Sequence, residues 1–396
     1  MKQRNLVFTV TLVSGALALS ACSSLGASTG NDSSSNVSDS DVTAVTTNID
    51  GESTVDAGAR IKATAQDQWL IEKVSVSVPG QDSQEVADPG ANWKSEPLAP
   101  GQTTAVTLTM RNQNNGDTTN VTRNVLAGPA TDTFSAALTP RGGTYGVGII
   151  PEVTFSKSVP AKDRAEMEKR MTVTTSPTEV AGSWRWTDST TAAFRPAKFW
   201  PGRTNVTVKA DLEGARISKT KSQPMSWGDK NKKAQFKTGR EMVIKISSGK
   251  HQAKVYIDGK VKHTMGVSMG KPGYTTRSGI KTLTDKHVVQ RMTNVGVTTD
   301  SVYDLQVPYA MRLTSTGEFL HAAPWNGNIG YANTSHGCTN LNYSDAVWVF
   351  NRMKWGDPVI TRGTGRPMED SNGPGALWNI PYSKWASGSG TDGTSA

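Results

Sequence analysis

Two cysteines are the only thiols in the 396-residue chain, and they stand in unlike surroundings. Cys338 lies in Ser335-His336-Gly337-Cys338-Thr339-Asn340, with a glycine before it and polar residues on both sides. A free cysteine has a pKa near about 8.5 and is only a few per cent thiolate at neutral pH, so a nucleophilic one needs a base or a positive field beside it. Two histidines could supply the base: His336, two residues back, and His321, seventeen back. If residues 335–338 are extended, His336 and Cys338 share a face, yet an i, i+2 imidazole need not point at the sulfur. A histidine on a neighbouring strand, fed by the loop Ala322–Gly330, can approach side-on, and His321 fits that description. Gly337 lets backbone amides come close to a reacting carbonyl, which makes the N–H groups of Gly337 and Cys338 natural oxyanion donors. The chemistry on offer is thiolate attack on a carbonyl; a packed, inert thiol is the plainer alternative.

The remaining candidates thin out quickly. No companion cysteine or carboxylate stands at ligand spacing from the histidines, so neither a metal nor another cofactor is expected. Two cysteines allow no four-cysteine zinc site and no disulfide-dense scaffold. His251, His263 and His287 read as surface or packing residues.

The elements that must position the thiol are strands. Hydrophobic residues make up 35% of the chain and aromatics 7%, while Gly and Pro contribute 38 and 19 positions, which favours many short strands joined by turns over a helical bundle. Around the site, Glu318–His321 reads as a strand delivering a histidine at its end. Val255–Val261 reads as a hairpin with an Asp258-Gly259 turn, and Met265–Met269 as a strand before the turn Gly270-Lys271-Pro272-Gly273. Ser344–Lys354 is the best helix, with Ser344 as N-cap and Val347, Phe350 and Met353 spaced three apart. All five histidines fall after residue 241.

Upstream the pattern changes. In 46–130, Val106, Leu108 and Met110 share one face, Asn114-Asn115-Gly116-Asp117 makes a turn, and Val121–Leu126 returns; Val74–Val78 is another alternating strand. A small β-sandwich is the expected result. In 131–240, Val153–Phe155, Trp184–Trp186, Ala193-Phe194 and Val206–Val208 are strand candidates, and Ala161–Arg170 a short helix. Trp184 and Trp186 are expected in a core rather than on a sugar platform. Neither region contains a histidine, so both read as spacers or interaction modules.

The first residues carry a different message. Met1–Arg4 is a short positive segment, Leu6–Leu19 is mostly apolar, and Leu19-Ser20-Ala21-Cys22 follows, which reads as a cleavable export signal over 1–21. The arrangement resembles a bacterial lipobox, in which Cys22 would carry a lipid. Residues 22–45 are Ser-rich and read as a flexible tether. The formal net charge of +9 falls by two when Lys2 and Arg4 leave; it is diffuse, and no basic stripe interleaved with aromatics points to nucleic acid.

His321, the loop with Ala323-Pro324-Trp325, and Ser335-His336-Gly337-Cys338-Thr339-Asn340 together resemble the L,D-transpeptidase (YkuD-like) catalytic domain, most of all in actinobacterial lipoproteins. Gly270–Gly273 followed by Thr276-Arg277-Ser278-Gly279 resembles that family's turn before the central strand, with Arg277 where Pro is usual. Trp378-Asn379-Ile380-Pro381 with Trp385 resembles the C-terminal extension of mycobacterial and corynebacterial members. The resemblance implies a mostly β chain: two immunoglobulin-like β-sandwich domains (46–130 and 131–240), a β-rich catalytic domain with a short helix (241–365), and an extension (366–396) packing on that domain. It implies that Cys338 attacks the L,D-amide of a peptidoglycan stem tetrapeptide and that His321 moves the proton, oriented by the carbonyl of Ala322. His336 and Gly337 would shape the oxyanion hole, and Asn340 would hold the loop and substrate. Tyr303, Thr316, Gly317, Trp325 and Ser335 would contact substrate or close over it. A 3→3 cross-link would be the product, and carbapenems and other β-lactams would be covalent inhibitors. A lipid on Cys22 would hold the enzyme on the outer face of the cytoplasmic membrane, facing the wall. The competing readings are an exported Cys/His wall-peptide hydrolase, a sortase-like transpeptidase, for which the expected basic residue after Cys338 is missing from Asn340–Tyr343, and a non-catalytic envelope-binding lipoprotein.

Overall fold

The computed structural model describes residues 44–293 and 303–391. Cys22, the leader and most of the tether lie outside the described residues. The chain is mostly β, with three hydrophobic cores in chain order and a fourth, smaller one where the C-terminal segment returns.

The first core lies between a five-stranded and a three-stranded sheet. Strand Thr103–Asn112 pairs with Thr118–Ala127 around the Asn114–Asp117 turn, as the alternation predicts. Val106, Leu108 and Met110 are fully buried and meet Ile61 and Ala63 from the opposite sheet. Period-two patterning dictates this: one face of each strand is apolar and must find a second sheet.

The second core is richer in aromatics. Two four-stranded sheets enclose Trp184, Trp186, Phe194 and Trp200 with Val206 and Val208, so the tryptophan pair is core, as expected. The helix Ala161–Lys169 is present, and Glu168 accepts the Trp186 indole N–H at 2.7 Å.

The third core sits between a five-stranded sheet, ordered Lys260–Gly266, Gln252–Ile257, Met242–Ser247, Pro358–Arg362, Gly279–Thr282, and a four-stranded sheet, ordered Asp285–Thr293, Asp304–Arg312, Phe319–Ala322, Thr339–Leu341. Two expectations are corrected here and a third, the extension packing on the catalytic domain, is widened. The segment Met265–Met269 is not one strand: Lys260–Gly266 ends, and Ser268 and Gly270 then make single bridges to Asn340 and Ser335, because the partner changes from a hairpin to the Cys338 loop. The helix is Tyr343–Phe350, preceded by Asn342 with no side-chain cap, and it buries Ala346 and Val349 rather than Val347 and Phe350. The C-terminal segment reaches past the catalytic sheets. Asn379 does bind both backbone groups of Ile280, at 2.7 and 2.8 Å. Trp378, Ile380 and Trp385, however, pack against Ile150 and Ala193 of the second sandwich. There the Trp378 and Trp385 indoles donate to the carbonyls of Gly148 and Ser183. Arg195 lies with its guanidinium 4.9 Å from the Trp378 ring and 4.6 Å from that of Trp385, donating to Ile380 O.

Candidate active site

Two short strands bring the distant candidates together. Phe319–Ala322 and Thr339–Leu341 pair in parallel, with Leu320 opposite Thr339 and His321 opposite Asn340. Parallel neighbours need a crossover, and residues 323–338 supply it. Cys338, one residue ahead of its strand, therefore lands beside the start of the histidine strand. Both side chains line one cavity of about 660 Å³, with Tyr303, Arg312, Thr316, Gly317, Trp325, Ser335, His336 and Asn340 also on its wall.

The imidazole of His321 is buried and its tautomer is set by its neighbours. Nδ1 is 2.8 Å from Ala322 O, and a carbonyl can only accept, so Nδ1 carries the proton. Nε2 keeps its lone pair and faces Asn340 Nδ2 at 2.9 Å, while Asn340 Oδ1 accepts from Asn326 Nδ2. Burial pushes the His321 pKa below its ordinary value, against the opposing effect of the Ala322 hydrogen bond. The group is a neutral base near pH 7.

Cys338 Sγ points its thiol at Gly317 O, 3.7 Å away. Burial pushes this thiol up to about 11, opposed chiefly by the Phe319 backbone N–H. The resting pair is thus thiol and neutral imidazole, and the thiolate forms only when the proton is passed on.

The loop before Cys338 is braced from inside. Ser335 Oγ donates to Cys338 O at 2.5 Å and accepts the Gly337 N–H at 3.1 Å. Ser335 therefore touches the cavity wall while its hydroxyl is spent on the loop. The Gly337 N–H would have to leave that hydroxyl to serve an oxyanion. Gly337 has φ +121°, a backbone conformation that side chains rarely adopt. Its carbonyl accepts from Thr276 Oγ1 at 2.8 Å, and Thr276 Oγ1 also accepts the Gly270 N–H. The His336 ring packs edge-on to Tyr274 at 4.6 Å and against Tyr303 at 5.5 Å. Thr316 is exposed, and its N–H and hydroxyl both reach Asn372 Oδ1 at 3.1 Å. The Trp325 ring lies nearly parallel to that of His321 at 6.3 Å and remains 53% exposed.

The other three histidines lie elsewhere: His251 meets Asn333, His263 meets Asp345 and stacks on Trp348, and His287 meets Asp285. Sequence reasoning missed Thr276, Arg312 and the buried charges Lys281 and Glu318 around the thiol. Thr276 carried a hint in the turn motif Thr276–Gly279, and Glu318 in its place directly after Gly317 and just before the histidine strand Phe319–Ala322.

Comparison with known proteins points one way. A family model described as a bacterial Ig domain matches residues 52–216, and one described as an L,D-transpeptidase catalytic domain matches residues 241–361. L,D-transpeptidase 2 of Mycobacterium tuberculosis (strain CDC 1551 / Oshkosh) is 30% identical over 266 residues, covering 66% of this chain and 63% of that protein, just under two thirds of its length. L,D-transpeptidase 1 of M. tuberculosis (strain ATCC 25618 / H37Rv) is 31% identical over 233 residues, covering 58% of this chain and 84% of that protein. Among solved structures, L,D-transpeptidase 3 from M. tuberculosis in complex with a faropenem-derived adduct is 31% identical, covers 58% of this chain and 98% of that one, and superposes with a TM-score of 0.47. An L,D-transpeptidase from Mycobacterium smegmatis is 30% identical, with 58% and 99% covered and a TM-score of 0.46.

Proposed function

The chain belongs to the L,D-transpeptidase family, and from that premise we propose that it makes 3→3 cross-links in peptidoglycan through a thioester on Cys338. The observation that carries this reading is the parallel pairing that sets Cys338 and His321, seventeen residues apart, on one cavity.

His321 Nε2 takes the proton of Cys338 once the Asn340 amide moves aside, while Ala322 O holds Nδ1–H and stabilises the imidazolium. The thiolate adds to the carbonyl carbon of the third stem residue, and the oxyanion is met by the backbone N–H groups of Cys338 and of Gly337, the latter once it leaves Ser335 Oγ. The C–N bond breaks, and the departing D-Ala amine leaves with the proton from His321. The side-chain amine of a neighbouring stem then attacks the thioester and loses a proton to His321. The new amide forms, the proton returns to sulfur, and the thiol is restored. Water competes as acceptor, and Tyr303 and Trp325, which line the cavity, limit its access in this reading. A β-lactam carbonyl is attacked in the same way, so a carbapenem acylates Cys338. The first two sandwiches act as spacers, and a lipid on Cys22 holds the enzyme at the outer face of the cytoplasmic membrane, facing the wall.

The test is mass spectrometry of the product from one purified disaccharide-tetrapeptide. A 3→3 dimer made by the wild type and absent with Cys338→Ala is the expected result. Tripeptide alone would assign the chain to hydrolysis, and dimer formation by Cys338→Ala would overturn the mechanism. Release of the full chain from membranes by Cys22→Ala tests the anchor separately.

A further inference from the structure

The cavity over Cys338 carries a cation that the acyl-transfer steps leave unused. Arg312, the last residue of its strand, stands directly opposite Phe319, and Phe319 lies two residues before His321. Alternation puts these three side chains on one face of the sheet, and all three line the cavity. The Arg312 guanidinium lies over the Phe319 ring at 4.6 Å. Its Nη1 donates to the carbonyls of Thr314 and Ser315 at 3.2 and 3.3 Å. Those bonds tie it to the Thr314–Gly317 turn, and the Gly317 carbonyl meets Cys338 Sγ. The guanidinium is thus held from two sides before any substrate arrives.

What it lacks is an anion. The described residues on the cavity wall include no Asp or Glu. The charge of Arg291, also on that wall, is taken by Asp304 through hydrogen bonds of 2.8 and 2.7 Å. Glu318, beside Phe319 in the chain, is committed to Lys281 at 2.6 Å and to Arg277 at 3.0 Å. Arg312 forms no ion pair among the described residues, and its Nε and Nη2 donors have no protein partner there. These two groups send parallel N–H bonds from one edge of a planar cation, a fork that matches the two oxygens of a carboxylate. Arginine also keeps its charge throughout the working pH range.

A donor stem that ends in D-Ala carries a free carboxylate separated from the scissile carbonyl by only the amide nitrogen and one α-carbon. We propose that Arg312 anchors this terminal carboxylate and so selects donors with a free C-terminus over donors whose terminal carboxyl is an amide. This rests on the reading of Cys338 as the acyl carrier. The anchored group departs with the released D-Ala. The acceptor stem, which attacks through a side-chain amine, then enters a site from which the anchored carboxylate has gone.

The test uses the full chain and three donors: the disaccharide-tetrapeptide, its C-terminal carboxamide, and the tetrapeptide with a free terminus but its other carboxyl groups amidated. Acylation is followed as release of D-Ala or D-alaninamide with one common acceptor, and circular dichroism checks folding. The wild type should prefer both free-terminus donors over the carboxamide by about 10- to 100-fold in kcat/KM, as for a hydrogen bond to a charged group. Arg312→Gln should bring all three donors level, and Arg312→Lys, which keeps the charge without the fork, should fall between. Should Arg312→Gln fail to fold, the wild-type preference and its reduction in Arg312→Lys decide. A purely structural role would slow all donors alike and leave the preference intact, and that result would overturn the proposal. A wild type with no preference, or a preference that follows the other carboxyl groups, would overturn it too. Calorimetry of the same donors on Cys338→Ala reads the preference in binding, without chemistry. A preference there, lost when Arg312→Gln is added, in an enzyme that forms no thioester would sink the acyl-transfer reading and leave the anchor standing. Cross-linking by the wild type with no preference would sink the anchor alone.

Discussion

The first sandwich and the catalytic sheets are built from the same short alternating strands, but they bury different things. Among the described residues of the first, the fully buried polar side chains are Ser95 and Thr104, both neutral. The catalytic sheets bury Lys281, Glu318, His321 and Asp357 within comparable apolar surroundings. A neutral core gains from every methylene it hides, whereas a desolvated charge costs free energy unless it is paired. The contrast separates a region built for stability from one that tolerates a cost in order to hold reactive groups dry.

That contrast can be broken experimentally. Cys338→Ala should abolish dimer formation and carbapenem adducts while leaving the thermal transition within about 1 kcal/mol of wild type. Measurable adduct at residue 338 is then chemically impossible, so adduct elsewhere would locate a different nucleophile. His321→Ala should lower kcat/KM for acylation by about 10²- to 10⁴-fold, and stopped-flow acylation rates would measure it. Leu108→Ala, in the first sandwich, should do the opposite: a loss of about 2–5 kcal/mol in denaturant unfolding with acylation unchanged. A rate loss there would show that the first sandwich shapes the site.

Two finer tests use pH. Because burial disfavours the imidazolium of His321, the base stays neutral until the pH falls below the ordinary histidine value of about 6.5, so the acid limb of kcat/KM should lie below that value. An acid limb at or above it would remove His321 from the role of base. Burial also pushes Asp357 up to about 7. Its folded-state pKa is raised, so its contribution to stability is present below the unfolded value of about 4 and is lost as pH rises through about 7. Asp357→Asn should therefore be the more stable form at pH 8, by on the order of 1–3 kcal/mol, and should flatten the Tm profile between these limits.

What could be read in advance follows the range of the interaction. The hairpin around Asn114–Asp117 and the burial of Val106, Leu108 and Met110 are local patterns, and they stand as expected. The meeting of Cys338 and His321 on one cavity was legible because the residue types are rare here and the intervening loop is long enough for a crossover. Lys281 and Glu318 were not, since each looks like an ordinary surface charge until Gly279–Thr282 and Phe319–Ala322 come together. The helix face was misjudged because spacing by three alone drifts around the helix, while Ala346 and Val349, continued by Met353, follow the three-and-four rhythm. The destination of Trp378 and Trp385 depends on partners some two hundred residues away, which no local pattern encodes.

Those partners impose an order of events. The bonds from Trp378 to Gly148 and from Trp385 to Ser183 span 230 and 202 residues, and that from Arg195 to Ile380 spans 185. Closing such distant contacts is slow, and they come late when a chain emerges from its N-terminal end. The second sandwich can form its sheets early, but it exposes Arg195 and its apolar seat until the final stretch has passed through the catalytic sheets and come back. Completion of that apolar seat is thereby tied to the arrival of residues 378–385.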